Sequence, residues 1–187
     1  MKKIAFSAAL LLAVGSVSAE NTFQVDTDMK IWISAGVTAT AGDQLVFPDL
    51  VKPNSGDAHT VTMDPADDSV IYSDDTASPG RRDATNNTTN SNSSRQHQFG
   101  TLTVTGEPGY LFEIRIEDSG APGGVGYVAK ILNDAGTASV ITATNLTIDT
   151  STNKKAVKYG GTLTADSSVS ELSKELTIDL TATITYW

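Results

Sequence analysis

Two histidines, a group of aspartates and one glycine-rich segment are the places where chemistry could start in this chain. Asp57-Ala58-His59 sets a carboxylate two residues from an imidazole, which is half of a metal site. No second ligand pair stands at a supporting spacing, and His97 is isolated. Asp64, Asp67, Asp68, Asp74 and Asp75 crowd together but lack the Asp-x-Asp-x-Asp-Gly pattern of a calcium loop, so a solvated acidic loop is the simpler reading. Gly120–Gly126 lacks the Lys-Ser/Thr of a phosphate loop and precedes no helix; it reads as a turn. There is no Gly-x-Ser-x-Gly elbow and no assignable Ser/His/Asp set. These residues predict no enzyme, no cofactor and no metal.

What the chain does repeat is alternation. In Glu175–Trp187, Leu176, Ile178, Leu180, Ala182, Ile184 and Tyr186 alternate with Thr177, Asp179, Thr181, Thr183, Thr185 and Trp187. Period two with β-branched enrichment marks a strand with one buried and one wet face. Phe23–Val37 repeats the pattern: Phe23, Val25, Met29, Ile31, Ile33 and Val37 share one parity, interrupted by Thr27 and Ala35. Two long one-faced strands therefore open and close the folded part of the chain.

Between them the sequence predicts shorter strands at Leu45–Phe47 (stopped by Pro48), His59–Met63, Val70–Tyr72, Phe99–Thr105, Tyr110–Glu117, Tyr127–Leu132, Ser139–Asp149 and Ala156–Leu163. Gly106-Glu107-Pro108-Gly109 reads as the turn of a hairpin, with Tyr110, Phe112, Ile114 and Ile116 inward. Ser73–Gln98, which includes NNTTNSNSS, has no apolar anchor and is expected to be a mobile polar loop. Val169–Glu175 is the one segment that could take a turn of helix. The whole predicts an all-β, immunoglobulin-like antiparallel β-sandwich with long alternating N- and C-terminal strands.

Met1–Ala19 has the parts of a secretory signal: Lys2 and Lys3, the apolar run Ile4–Val14, and the small-residue site Val17-Ser18-Ala19. The apolar run is too short to anchor in a bilayer. The expected organisation is signal peptide 1–19, N-terminal strand or extension 20–37, and β-sandwich domain 38–187. A net charge of −9 argues against nucleic acid as a partner. There is no cysteine, so no disulfide supports the fold. Trp187 shares its face with Thr185, Thr183, Thr181 and Asp179, which is wrong for the lipid-facing side of an outer-membrane barrel. No membrane insertion of the mature chain is expected.

Four blocks carry a resemblance. They are Leu45-Val46-Phe47 with Ser55-Gly56 and Thr60–Pro65; Phe99–Gly109, containing TVTGEPG; Tyr159-Gly160-Gly161-Thr162-Leu163; and the closing strand with Tyr186. In this order they resemble the bacterial secreted family called domain of unknown function 4402. Pro48, the long segment Ser73–Gln98 and the segment Ala165–Lys174 depart from its pattern. The resemblance implies a secreted, fimbria-like β-sandwich and supplies no catalytic residue. The signal peptide, the alternating N-terminal segment and the penultimate Tyr186 are also similar to chaperone–usher-type pilins. The position about fourteen residues from the end, where the best-known pilins have Gly, is Lys174.

Two functional readings follow. In the first, the chain is a pilus or fimbria subunit that polymerises head to tail by β-strand donation, exported through the periplasm to the cell surface with a periplasmic chaperone and an outer-membrane usher. Phe23, Val25, Met29, Ile31 and Ile33 fill pockets of the next subunit, against its C-terminal strand Leu176, Ile178, Leu180, Ile184 and Tyr186. Each buried apolar side chain is worth roughly 1.5–3 kcal/mol, so five supply on the order of 10 kcal/mol before ordering costs. In the second, Phe23–Val37 folds back as the first strand of a self-contained, monomeric secreted module, adhesin-like, with Ser73–Gln98, Ser119–Gly126, Trp32 or Trp187 meeting a carbohydrate or surface. The sequence leaves both open.

Overall fold

A computed structural model describes residues 22–33, 36–48, 50–74, 97–169 and 175–187. The expected signal peptide 1–19, residues 75–96 of the expected polar loop Ser73–Gln98 and residues 170–174 of the possible helical turn Val169–Glu175 lie outside the described residues. Those described form twelve strands and no helix.

A five-stranded sheet has the order β10 (Thr142–Thr147), β7 (Leu111–Gly120), β12 (Glu175–Tyr186), β1 (Thr22–Ile33), β3 (Leu50–Val51). The seven-stranded sheet is built on β11 (Lys154–Asp166), the longest strand. β11 pairs with β6 (Gly100–Thr105) along its first half and β4 (Ala58–Asp64) along its second, and with β8 (Val125–Leu132) over Tyr159–Ala165. β2 (Thr38–Ala41) extends β6, β5 (Ser69–Asp74) extends β4, and β9 (Ala138–Val140) extends β8. The two sheets pack as a β-sandwich. Strict alternation produces the core: on β4 and β6 every second residue is buried, and Leu102, Val104, Phe112, Ile114 and Ile116 are wholly inaccessible.

The structure corrects the sequence reading in five places. The expected antiparallel arrangement has one exception: β1 and β12 pair in parallel. The Gly106–Gly109 turn does not close a hairpin, because β6 and β7 belong to different sheets. The turn's donors go elsewhere: Gly106 N–H bonds Asn153 O at 3.1 Å and Gly109 N–H bonds Ile148 O at 2.9 Å. Apolar faces on consecutive strands look the same in sequence whether the strands lie side by side or face each other across a core. Tyr110, expected inward, is 45% exposed and stacks on Tyr186 with ring centroids 5.4 Å apart.

Leu45–Phe47 is a buried segment rather than a strand. Only Val46 bridges, to Asp26 and Gln98, and the strand itself comes after Pro48 at β3. Ser139–Asp149 is split at Ile141, whose φ of 63° is strained for a β-branched residue. Ile141 N–H bonds Ala129 O at 3.0 Å in one sheet, and its carbonyl accepts from Ile116 N–H at 2.9 Å in the other. One residue thus carries the chain from β9 to β10 between sheets.

Candidate functional site: the β1 groove

The two alternating strands singled out in the sequence meet within one chain. β1 lies along β12 in an unbroken register from Gln24↔Glu175 to Ile33↔Ile184. Parallel pairing keeps equal parity on one face, so Val25 stands beside Leu176, Met29 beside Leu180 and Ile31 beside Ala182. Val25 is buried, and Met29 and Ile31 are partly buried against the core. Phe23 and Ile33 are placed by register opposite Leu50 and Ile184; their side chains lie outside the described residues. On β12, Leu176, Ile178, Leu180, Ala182 and Ile184 are buried and Tyr186 is partly buried. The antiparallel pairing of β12 with β7 closes its other edge from Asp179 to Tyr186.

The outer edge of β1 is held over a shorter span. Thr22 and Phe23 pair with β3, Phe47 N–H bonds Val25 O at 3.2 Å, and Gln44 Nε2 bonds Thr27 O at 2.8 Å. Beyond Thr27, β1 pairs with β12 only among the described strands. At its far end the chain turns through Gly36 at φ 104°, where a Cβ would lie 3.3 Å from the Tyr186 ring. A Cβ on Gly106 would lie 2.9 Å from Val37. The Gly-Glu-Pro-Gly block therefore packs where β1 leaves the groove, beside the penultimate tyrosine.

On β11 the Tyr-Gly-Gly block packs closely against its neighbouring strands. Tyr159 is buried on β11, and its ring end occupies the space that any side chain at Gly100 would need. Gly160 lies so close to the Met63 carbonyl that a Cβ would collide with it. Tyr127 donates to Gly160 O at 2.6 Å over the face of Gly161. Burial pushes the Tyr127 hydroxyl well above its usual value. Burial also raises Tyr159, to about 12, against a hydrogen bond with Thr27 that lowers it. Both tyrosines stay protonated at any ordinary pH. The groove is apolar with fixed hydroxyls, suited to holding a strand.

The polar residues considered earlier are scattered. His59 is buried on β4, while His97 meets Phe99 edge-on at 6.2 Å and is pulled below its usual pKa by burial. Asp64 pairs with Lys130 at 2.8 Å, Asp68 with Lys158, and Asp67 is lowered by hydrogen bonds from Ser69. Among the described residues no group of three or more His, Cys, Asp or Glu could hold a metal ion. An open cleft of about 560 Å³ lies beside Asp134, Asp149, Lys154 and Lys155. Its carboxylates are engaged, Asp134 by Lys155 and Thr147, and Asp149 by Ser151 and Thr152. Trp187 is 53% exposed; the Trp32 side chain lies outside the described residues.

Sequence reasoning missed Thr27, which it read only as an interruption of the apolar parity. The signal was present in that break of pattern. In comparisons with known proteins, no protein-family model and no curated protein matches the chain.

Proposed function

We propose that this chain is a structural subunit of an extracellular pilus or fimbria, assembling when β1 of one copy replaces β1 in the groove of the next. The observation that carries this reading is the seating of β1. It is the first strand among the described residues, with ten consecutive register pairs to β12, a shorter hold on its other edge and a short link to β2. Such a strand can be exchanged for an identical one without loss of contacts, the condition for domain swapping. A head-to-tail exchange that does not close gives a filament. The expected signal peptide, the acidic cysteine-free composition and the β-sandwich fit export through the periplasm with a chaperone and usher. The mature protein should form filaments visible by electron microscopy that resist detergent at room temperature and fall to monomer on boiling. Removal of residues 20–33 should abolish them. A soluble monomer that unfolds cooperatively on its own would end this reading.

A specific observation favours a second reading. β1 occupies the groove of its own chain, as expected of a self-contained secreted module. The exposed Tyr110 and Trp187 would then be its contacts with a carbohydrate or surface.

A further inference from the structure

The described inward face of β1 is apolar except at Thr27, which is only 3% exposed. Its hydroxyl donates to the Leu45 carbonyl oxygen at 3.1 Å. The Tyr159 hydroxyl is a second polar neighbour, and against the larger effect of burial its interaction with Thr27 lowers the tyrosine's pKa. Tyr159 reaches this point across the sandwich from β11, itself 2% exposed, in the space left by Gly100. Three segments distant in sequence thus converge on one buried hydroxyl.

We propose that Thr27, through its bond to Leu45, is the specificity-determining position that sets the register of β1 against β12 and so decides which strand the groove accepts. A slip of one residue turns the apolar face outward and is excluded by burial. A slip of two keeps the faces, and Val, Met and Ile exchange pockets at modest cost. On the inward face the hydroxyl distinguishes it; on the other face a slip also displaces the buried Asp26. After such a slip Val25 or Met29 takes the place of Thr27, and the Leu45 carbonyl loses a buried partner. A single buried polar residue fixes the register of coiled coils in the same way. The inference deepens the strand-donation reading and rests on it for its use: a neighbour's β1 meets the same test as the chain's own.

The test reads register directly on the mature, full-length monomer. Asp28 faces Asp179 in the native pairing, with Thr177 and Thr181 two residues to either side. Asp28→Cys is combined in turn with Asp179→Cys, Thr177→Cys and Thr181→Cys, and the rate of disulfide closure under mild oxidant is followed. A disulfide needs Cα atoms within about 7 Å, and a two-residue slip moves the strand by about 6–7 Å, so each pair reports one register. With Thr27 intact the Asp179→Cys pair should close and the other two should not. Thr27→Val should raise closure of a slipped pair, relative to the native pair, by about tenfold or more, and Thr27→Ser should leave the native pattern. Unchanged ratios in Thr27→Val would overturn the proposal. Should that variant not fold, Thr27→Ala removes the same bond to Leu45 with less bulk and must raise the slipped pairs likewise; unchanged ratios there overturn the proposal too. Loss of stability alone also raises the slipped pairs through unfolding, so the ratio is read against a variant destabilised at a remote core position, such as Ile131→Ala, and the register effect is the excess over it. If copies never exchange β1, every cross-link stays within one chain while the register ratio is still read.

Discussion

Asp149 shows how single residues hold the loops at the ends of this sandwich. Its carboxylate accepts from the Ser151 hydroxyl and N–H and from the N–H and hydroxyl of Thr152, with donor distances of 2.5–3.1 Å. The Ser151 side-chain bond leads in lowering its pKa from 3.8 to about 2. A folded pKa below the unfolded one means the contribution is complete above 3.8 and is lost as pH falls through about 2. Carboxyl titration by NMR should place Asp149 near that lower value, and Asp149→Asn should remove the titration and loosen the 149–153 turn at neutral pH. Gly160 makes a second prediction. A methyl there has the Met63 carbonyl in its path, so Gly160→Ala should cost about 1–3 kcal/mol in denaturant unfolding, as overpacking does.

Elements carry the next level, and here the sequence was legible where period two was long. Both faces of β12 and most of the described inward face of β1 could be read directly from Glu175–Trp187 and Phe23–Val37. Alternation says which side of a strand is buried; it does not say which strand lies alongside. That is why β6 and β7 passed for a hairpin, and why the parallel partnership of β1 with β12 was not visible. The break at Ile141 was hidden for a different reason: a β-branched residue gives no sign of positive φ. Thr27 was visible as an exception, but its partners Leu45 and Tyr159 come from segments that only the fold brings together. If the β1–β12 faces form one packed unit, Leu180→Ala, at a wholly buried position opposite Met29, should destabilise the protein by about 2–5 kcal/mol. Amide exchange should then quicken along β1 as well as β12.

At the scale of the molecule, the question is whose β1 fills the groove. The monomer satisfies itself, so strand donation substitutes one identical strand for another and gains through chain connectivity rather than new contacts. The fold has no disulfide to resist this, and reducing agent should change neither thermal unfolding nor filament survival. The most direct measurement uses the Asp28→Cys/Asp179→Cys pair in assembled material, oxidised and then boiled in detergent without reductant. Strand donation predicts a ladder of covalently linked chains, because each Asp28→Cys closes on the Asp179→Cys of its neighbour. Filaments that yield only internally cross-linked monomers would contradict the account: β1 would then remain at home, and another surface would hold the copies together.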